Sequence, residues 1–155
     1  MTEEELLKEI KELTDLVKTN KLEVRPLTGL DWNTLTSWWD AWPDWNSPSQ
    51  EFLPDNGKGG LMIEKNGEPI VAGFIYETNS MSVLLEWIVS NPDYREDDRS
   101  EAVELLITEA EKFTKELGYK YMFSIGRNKH LMDTHKKLGW FVDDKPSHEI
   151  TKKLK

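Results

Sequence analysis

The 155-residue chain contains no cysteine. That excludes disulfides, thiolate metal sites and cysteine nucleophiles. No apolar run approaches the roughly 20 residues that span a bilayer. The first ten residues, MTEEELLKEI, are acidic and carry no apolar core of a secretory leader. These absences point to a cytoplasmic protein without a membrane partner. Positive charge is also scarce, 20 Lys and Arg against 29 Asp and Glu, for a net charge of -9. Such a field repels nucleic acid and favours cationic partners. No nucleophile-elbow motif is present. Gly57-Lys58-Gly59-Gly60 lacks the spacing of a nucleotide-binding phosphate loop. What is abundant is aromatic bulk: seven Trp, four Tyr and five Phe are enough to fill a core.

Residues 3–18 read as an amphipathic helix, with Leu6, Ile10, Leu13 and Val17 at helical spacing. Thr2 and Glu5 suit a capping box, and Asn20 suits a stop. The apolar seam fits either packing on its own domain or a short homodimer contact. Residues 1–20 are thus expected as a helix appended to a domain at 21–155. In that domain, residues 22–27 read as a strand. Asp31 is placed to cap a helix running to about Trp42, where Pro43 intervenes. Residues 61–65 and 69–77 read as strands joined by the hairpin pair Asn66-Gly67. Residues 81–90 form a continuous apolar run, as in a strand buried on both faces. A helix at 100–117 ends at Gly118. A strand at 121–125, a helix at 129–138 stopped by Gly139, and strands at 140–142 and 148–152 complete the order.

Two segments carry chemistry. VSNPDYREDDRSEA, residues 89–102, lies between a buried strand and a long helix. NKHLMDTHKKLGW, residues 128–140, closes the domain. The first resembles the phosphate-binding segment of the GNAT N-acetyltransferase superfamily, in which an Asn/Asp-Pro, an acid, an aromatic and an Arg precede a glycine-rich turn and a helix. Pro92, Asp93, Tyr94 and Arg95 match. The second is similar to the late signature of that superfamily at Asn128, Lys137, Leu138, Gly139 and Trp140, with His135 where a Tyr is usual. The resemblance covers all but the N-terminal helix and extends to phage-encoded acetyltransferase-like proteins. It implies an α+β GNAT-like acyl-CoA N-acyltransferase fold, a mixed central sheet flanked by helices, with an extra N-terminal helix. It implies acetyl-CoA as co-substrate and transfer of its acetyl group to a primary amine of a small molecule or peptide.

By the same resemblance, the donor would lie against Ile88, Val89, Ser90, Arg95, Glu96, Asp97, Asp98, Arg99, Ser100, Asn128 and Lys137. The glycine-rich turn lets backbone N–H groups reach a pyrophosphate. Here its glycine positions hold Glu96, Asp98 and Ser100. Between Asp93 and Glu104 six carboxylates face two arginines, a local charge of -4. Asp98 with Glu101 fits a capping box, which would occupy the N–H groups a phosphate needs. Arg95 and Arg99 are placed to pair with phosphate or with the neighbouring acids. Three outcomes stand open: acyl-CoA binding at reduced affinity, a donor without a pyrophosphate, or a catalytically weak or inactive binding module.

Glu86, within the strand before this loop, is the candidate base; flanked by Leu85 and Trp87, its carboxylate is open to desolvation. Its alternative is a solvated or ion-paired strand carboxylate. The resemblance places the oxyanion donor in the backbone around residues 88–90 and makes His135 the proton donor to the leaving thiolate. Trp38, Trp39, Trp42 and Trp45, with Asp40 and Asp44, suit the wall of a cationic amine site. Core packing is the other use of these indoles. His130 and His135 do not have metal-ligand spacing on one helix face.

Overall fold

A computed structural model describes residues 2–17 and 21–155. Helix α1, Glu3–Val17, opens with the expected capping box. Glu5 N donates to Thr2 Oγ1 and Thr2 N to Glu5 Oε2, both at 3.1 Å. Its apolar residues Leu6, Leu7, Ile10 and Leu13 are 49–64% exposed and join none of the core clusters. Asn20 and the Val17 side chain lie outside the described residues.

The domain is built on a five-stranded sheet in sequential order. Strands β1 (Glu23–Pro26), β2 (Gly60–Lys65), β3 (Glu68–Glu77) and β4 (Ser82–Ser90) run antiparallel. The β2–β3 turn has Asn66 and Gly67 at φ 51° and 80°, the left-handed pair that a tight hairpin demands. Strand β5 (Tyr121–Phe123) is parallel to β4. A parallel neighbour needs a crossover, here α3 (Arg99–Glu116).

One sheet face buries Met62, Ala72, Phe74 and Val89 under Leu35, Trp38 and Trp39 of α2, Trp32–Ala41. The other buries Ile63, Val71, Val83 and Leu85 under Ala102, Leu106, Ile107 and Ala110 of α3. Core burial of this kind stabilises by roughly 1.5–3 kcal/mol per large apolar side chain. Gly60, in the glycine-rich stretch, lies so close to β3 that a Cβ would collide with the Gly73 carbonyl. Its role is packing.

Four sequence expectations are corrected. Asp31 does not cap α2 with its side chain. Its carboxylate is held by Arg25 at 2.8 and 2.9 Å and by Thr28 N at 2.8 Å, and Thr28 caps the preceding turn. Asp98 does not form a capping box with Glu101, because its carboxylate is engaged elsewhere. Strand β5 stops at Phe123; two residues beyond it the Glu86 carboxylate, rather than a strand, accepts the Ile125 N–H. Residues 140–142 and 148–152 form no strands. The Asp143 carboxylate binds Lys145 N at 2.9 Å, a local turn that competes with a ladder. Pro146 supplies no N–H, and Phe141 and Ile150, over 90% exposed, have no face to bury.

Candidate active site

Strands β4 and β5 pair from Ser82 opposite Tyr121 to Leu84 opposite Phe123, and then part. The opening is lined by Trp45, Leu85, Glu86, Trp87, Ile125, Arg127, Asn128 and Leu131 among others, and encloses about 30 Å3. A bulge lies beside it. The register with β3 passes from Phe74 opposite Glu86 to Ala72 opposite Val89, so Trp87 and Ile88 face the single residue Gly73. Trp87 has φ 57°, a left-handed conformation that costs a bulky residue about 1–3 kcal/mol. The extra residue resets the in–out alternation: Ile88 packs toward α3, while Trp87 and Val89 pack toward α2. Trp87 is held in place by Trp39, Trp45 and Phe52, each 6.0 Å away between ring centroids.

Glu86 is half-buried and accepts the Ile125 N–H at 2.6 Å through Oε1. Burial raises its pKa above the ordinary value; the Ile125 hydrogen bond and the Arg127 charge oppose that rise. Among the described residues the second carboxylate oxygen has no hydrogen-bond partner and remains for a proton. Arg127, absent from the sequence-derived site, lies over the Trp87 and Trp45 rings at 5.4 and 5.7 Å. It forms an ion pair with Glu149 of the C-terminal segment. Its only local signal was its position beside the helix-capping Asn128.

The four tryptophans divide. Trp38 and Trp39 are core residues, 5% and 0% exposed. Trp42 faces the loop after β4: its Nε1 donates to Ser90 O at 3.0 Å, and the Arg95 and Arg99 guanidinium groups lie over its ring at 5.9 and 5.6 Å. Only Trp45 lines the opening.

In that loop, none of residues 91–100 has a positive φ, so its backbone does not require glycine. Tyr94 is buried, and its hydroxyl donates to Asp98 Oδ1 at 2.6 Å. Lys65 of β2 holds Asp98 Oδ2 at 2.9 Å. The Tyr94 hydrogen bond, followed by Lys65, keeps the Asp98 carboxyl below its ordinary pKa. Lys65 is 33 residues away in sequence, and no local pattern announced it. Among the described residues neither Arg95 nor Arg99 makes a carboxylate ion pair. Burial and then the Arg95 charge push the Arg99 pKa down.

Helix α4, Lys129–Lys137, is capped by Asn128, whose Oδ1 accepts Leu131 N at 3.2 Å. It closes on Gly139 at φ 92°, with Trp140 N bonded to His135 O and Gly139 N to Lys136 O. His135 is 5% exposed and packs edge-on against Trp140 at 4.7 Å. Its Nδ1 lies 2.8 Å from Leu131 O; a carbonyl only accepts, so Nδ1 carries a proton. Nε2 has no partner among the described residues. Lys137 pairs with Glu104 of α3 at 2.5 Å. Glu86 and Asn128 therefore meet at the opening, Arg95 and Arg99 meet on Trp42, and His135, which does not line the opening, is buried against Trp140.

No family model matches the chain, and no curated protein does. Solved structures do. A GCN5-related N-acetyltransferase from Ralstonia eutropha superposes with TM-score 0.60 at 17% identity, over 84% of this chain and 99% of that one. The chain has the GNAT acyl-CoA N-acyltransferase fold. An aminoglycoside acetyltransferase from an uncultured soil sample, solved with sisomicin, gives TM-score 0.58 at 12% identity over 87% and 96%. N-acetylglutamate synthase from Neisseria gonorrhoeae, solved with coenzyme A and N-acetyl-glutamate, gives 0.62 at 11% identity, over 77% of this chain and 28% of that chain.

Proposed function

We propose that the chain is an N-acetyltransferase that moves an acetyl group from acetyl-CoA to a primary amine. The observation that carries this reading is the opening between β4 and β5, with the Glu86 carboxylate inside it and the Trp87 bulge on its rim. The fold supports it, since the similar structures include acetyltransferases solved with coenzyme A and with amine-bearing ligands.

The loop after β4 fits an anionic donor better than its composition suggests. Of its two conflicting carboxylates, Asp98 is neutralised by Lys65 and Tyr94. Arg95 and Arg99 are gathered on Trp42 without a carboxylate partner among the described residues. These two guanidinium groups, with the backbone of residues 95–100 and of 88–90, would hold the donor pyrophosphate and pantetheine. The donor supplies an acetyl group already activated as a thioester. Glu86 takes the amine proton on its free oxygen, directly or through water. Bulge N–H groups near Ile88 polarise the carbonyl. Only the doubly protonated ring of His135 would have a proton on Nε2 to give the thiolate, since the neutral ring carries its proton on Nδ1.

A second reading, a binding module without catalysis, is favoured by the narrowness of the opening, whose volume of about 30 Å3 is well below that usual for a small-molecule site. Calorimetry with acetyl-CoA, paired with detection of free thiol in the presence of primary amines, tests the proposal. Saturable binding and amine-dependent thiol release are expected. Absence of binding at millimolar donor would leave the binding module as the better account.

A further inference from the structure

Arg127 is the least expected group in the opening. Two indoles fix it, and that arrangement leaves the hydrogen-bonding edges of the guanidinium for a planar anion. Such an anion is already in place, the Glu149 carboxylate. Glu149 belongs to a segment that no strand ladder or helix holds. Exchanging it for another carboxylate therefore disrupts no secondary structure. Glu86 lines the same opening as Arg127, and its second oxygen has no hydrogen-bond partner among the described residues, which leaves it for a proton or an ammonium group. An anion acceptor and a cation acceptor thus share one small opening. Together they complement a molecule bearing an amine and a carboxylate a few bonds apart. The Trp45 face, which the sequence suggested for a cationic substrate, is already covered by the chain's own cation.

We propose that Arg127 is the specificity-determining residue of the opening. It holds the carboxylate of an amino-acid-like acceptor, and Glu149 occupies that place in the free chain. The word acceptor rests on the acetyl-transfer reading above; the carboxylate site does not.

Two measurements separate the claims. The first compares alanine with alaninamide as acceptors in the free-thiol assay. The acid is expected to be preferred by about tenfold or more in kcat/KM, the scale of one charge-assisted hydrogen-bonded contact. This preference should appear although the amine of the amide deprotonates more readily. Arg127→Gln should bring the ratio close to one through KM, Arg127→Lys should restore part of it, and Glu149→Gln should lower KM for alanine several-fold by removing the internal competitor. The second measurement is tryptophan fluorescence without acetyl-CoA, since Trp45 and Trp87 flank the guanidinium. Alanine should give a saturable change that alaninamide does not give and that Arg127→Gln abolishes. Fluorescence binding without any thiol release would sustain the carboxylate site while removing the acetyl-transfer reading. Equal responses to acid and amide in both measurements, or a preference that survives Arg127→Gln, would overturn it.

Discussion

Glu86 gives one oxygen to the Ile125 N–H and sits in a setting that raises its pKa above 4.5, chiefly by burial. A glutamine carbonyl can accept the same bond. Glu86→Gln should therefore keep its melting temperature while kcat falls by about 10²–10⁴, the range for loss of a general base. The wild-type rate should rise with pH through a midpoint above the ordinary glutamate value; a profile flat from pH 4 to 8 would argue against the base. The linkage sign is opposite to that of a salt-bridged acid. The folded state binds this proton more tightly than the unfolded chain, so ionisation of Glu86 costs stability as pH rises. His135→Phe should preserve the edge-on packing with Trp140 while removing Nε2. Strongly reduced turnover with an intact circular dichroism spectrum is expected, and full turnover would assign His135 to packing alone. At this scale the sequence separated candidates but not their surroundings. Trp38 and Trp45 look alike in a tryptophan-rich run, yet one is core and one lines the opening. The difference is set by Phe74 and Met62 of the sheet, which no local spacing reveals.

The N-terminal turn of α3 depends on one cross-connection, Lys65 of β2 to Asp98. Lys65→Ala releases that carboxylate beside Arg95 and Arg99. Because the pair is partly solvated, the stability loss should be small, about 0.2–1 kcal/mol. Acetyl-CoA affinity should fall several-fold, which calorimetry would register. The Asp98 pKa is depressed, so its contribution is present at neutral pH and is lost as pH falls below 3.8 through the lowered folded value. Denaturant titrations of the two proteins should therefore converge at the acid end. Elements with strong internal periodicity, α3 and the Asn66-Gly67 hairpin, were legible to within a residue or two. The cap at Asp98 and the strands at 140–142 and 148–152 were misread, because a capping pattern and a short apolar run say nothing of competing partners. Asp98 had a better partner, and the C-terminal stretches found no strand to pair with among the described residues.

On the scale of the whole molecule, the domain boundary near residue 21 is a proposal with a direct test. The exposed apolar residues of α1 contribute to none of the described cores. Deleting residues 1–20 should therefore shift the melting temperature of the remainder by less than about 4 °C, the effect of half a kilocalorie or so. Sedimentation velocity on both forms reads the other use of that helix: a dimer that becomes a monomer on deletion would identify it as the contact. A large drop in melting temperature would instead place α1 in the fold of the domain. The overall architecture was legible because its two signature segments lie in the right order between recognisable elements.

Strand β5 is three residues long, pairs on one side only, and leaves Tyr121 and Phe123 68% and 58% exposed. An open edge of this kind invites a second sheet to add to it. At neutral pH the molecules carry the same charge, -9, and repel one another before edges can meet. That colloidal protection vanishes near the isoelectric point, about pH 4.9. Turbidity should be greatest there and decline again at lower pH, so preparative steps belong well above it.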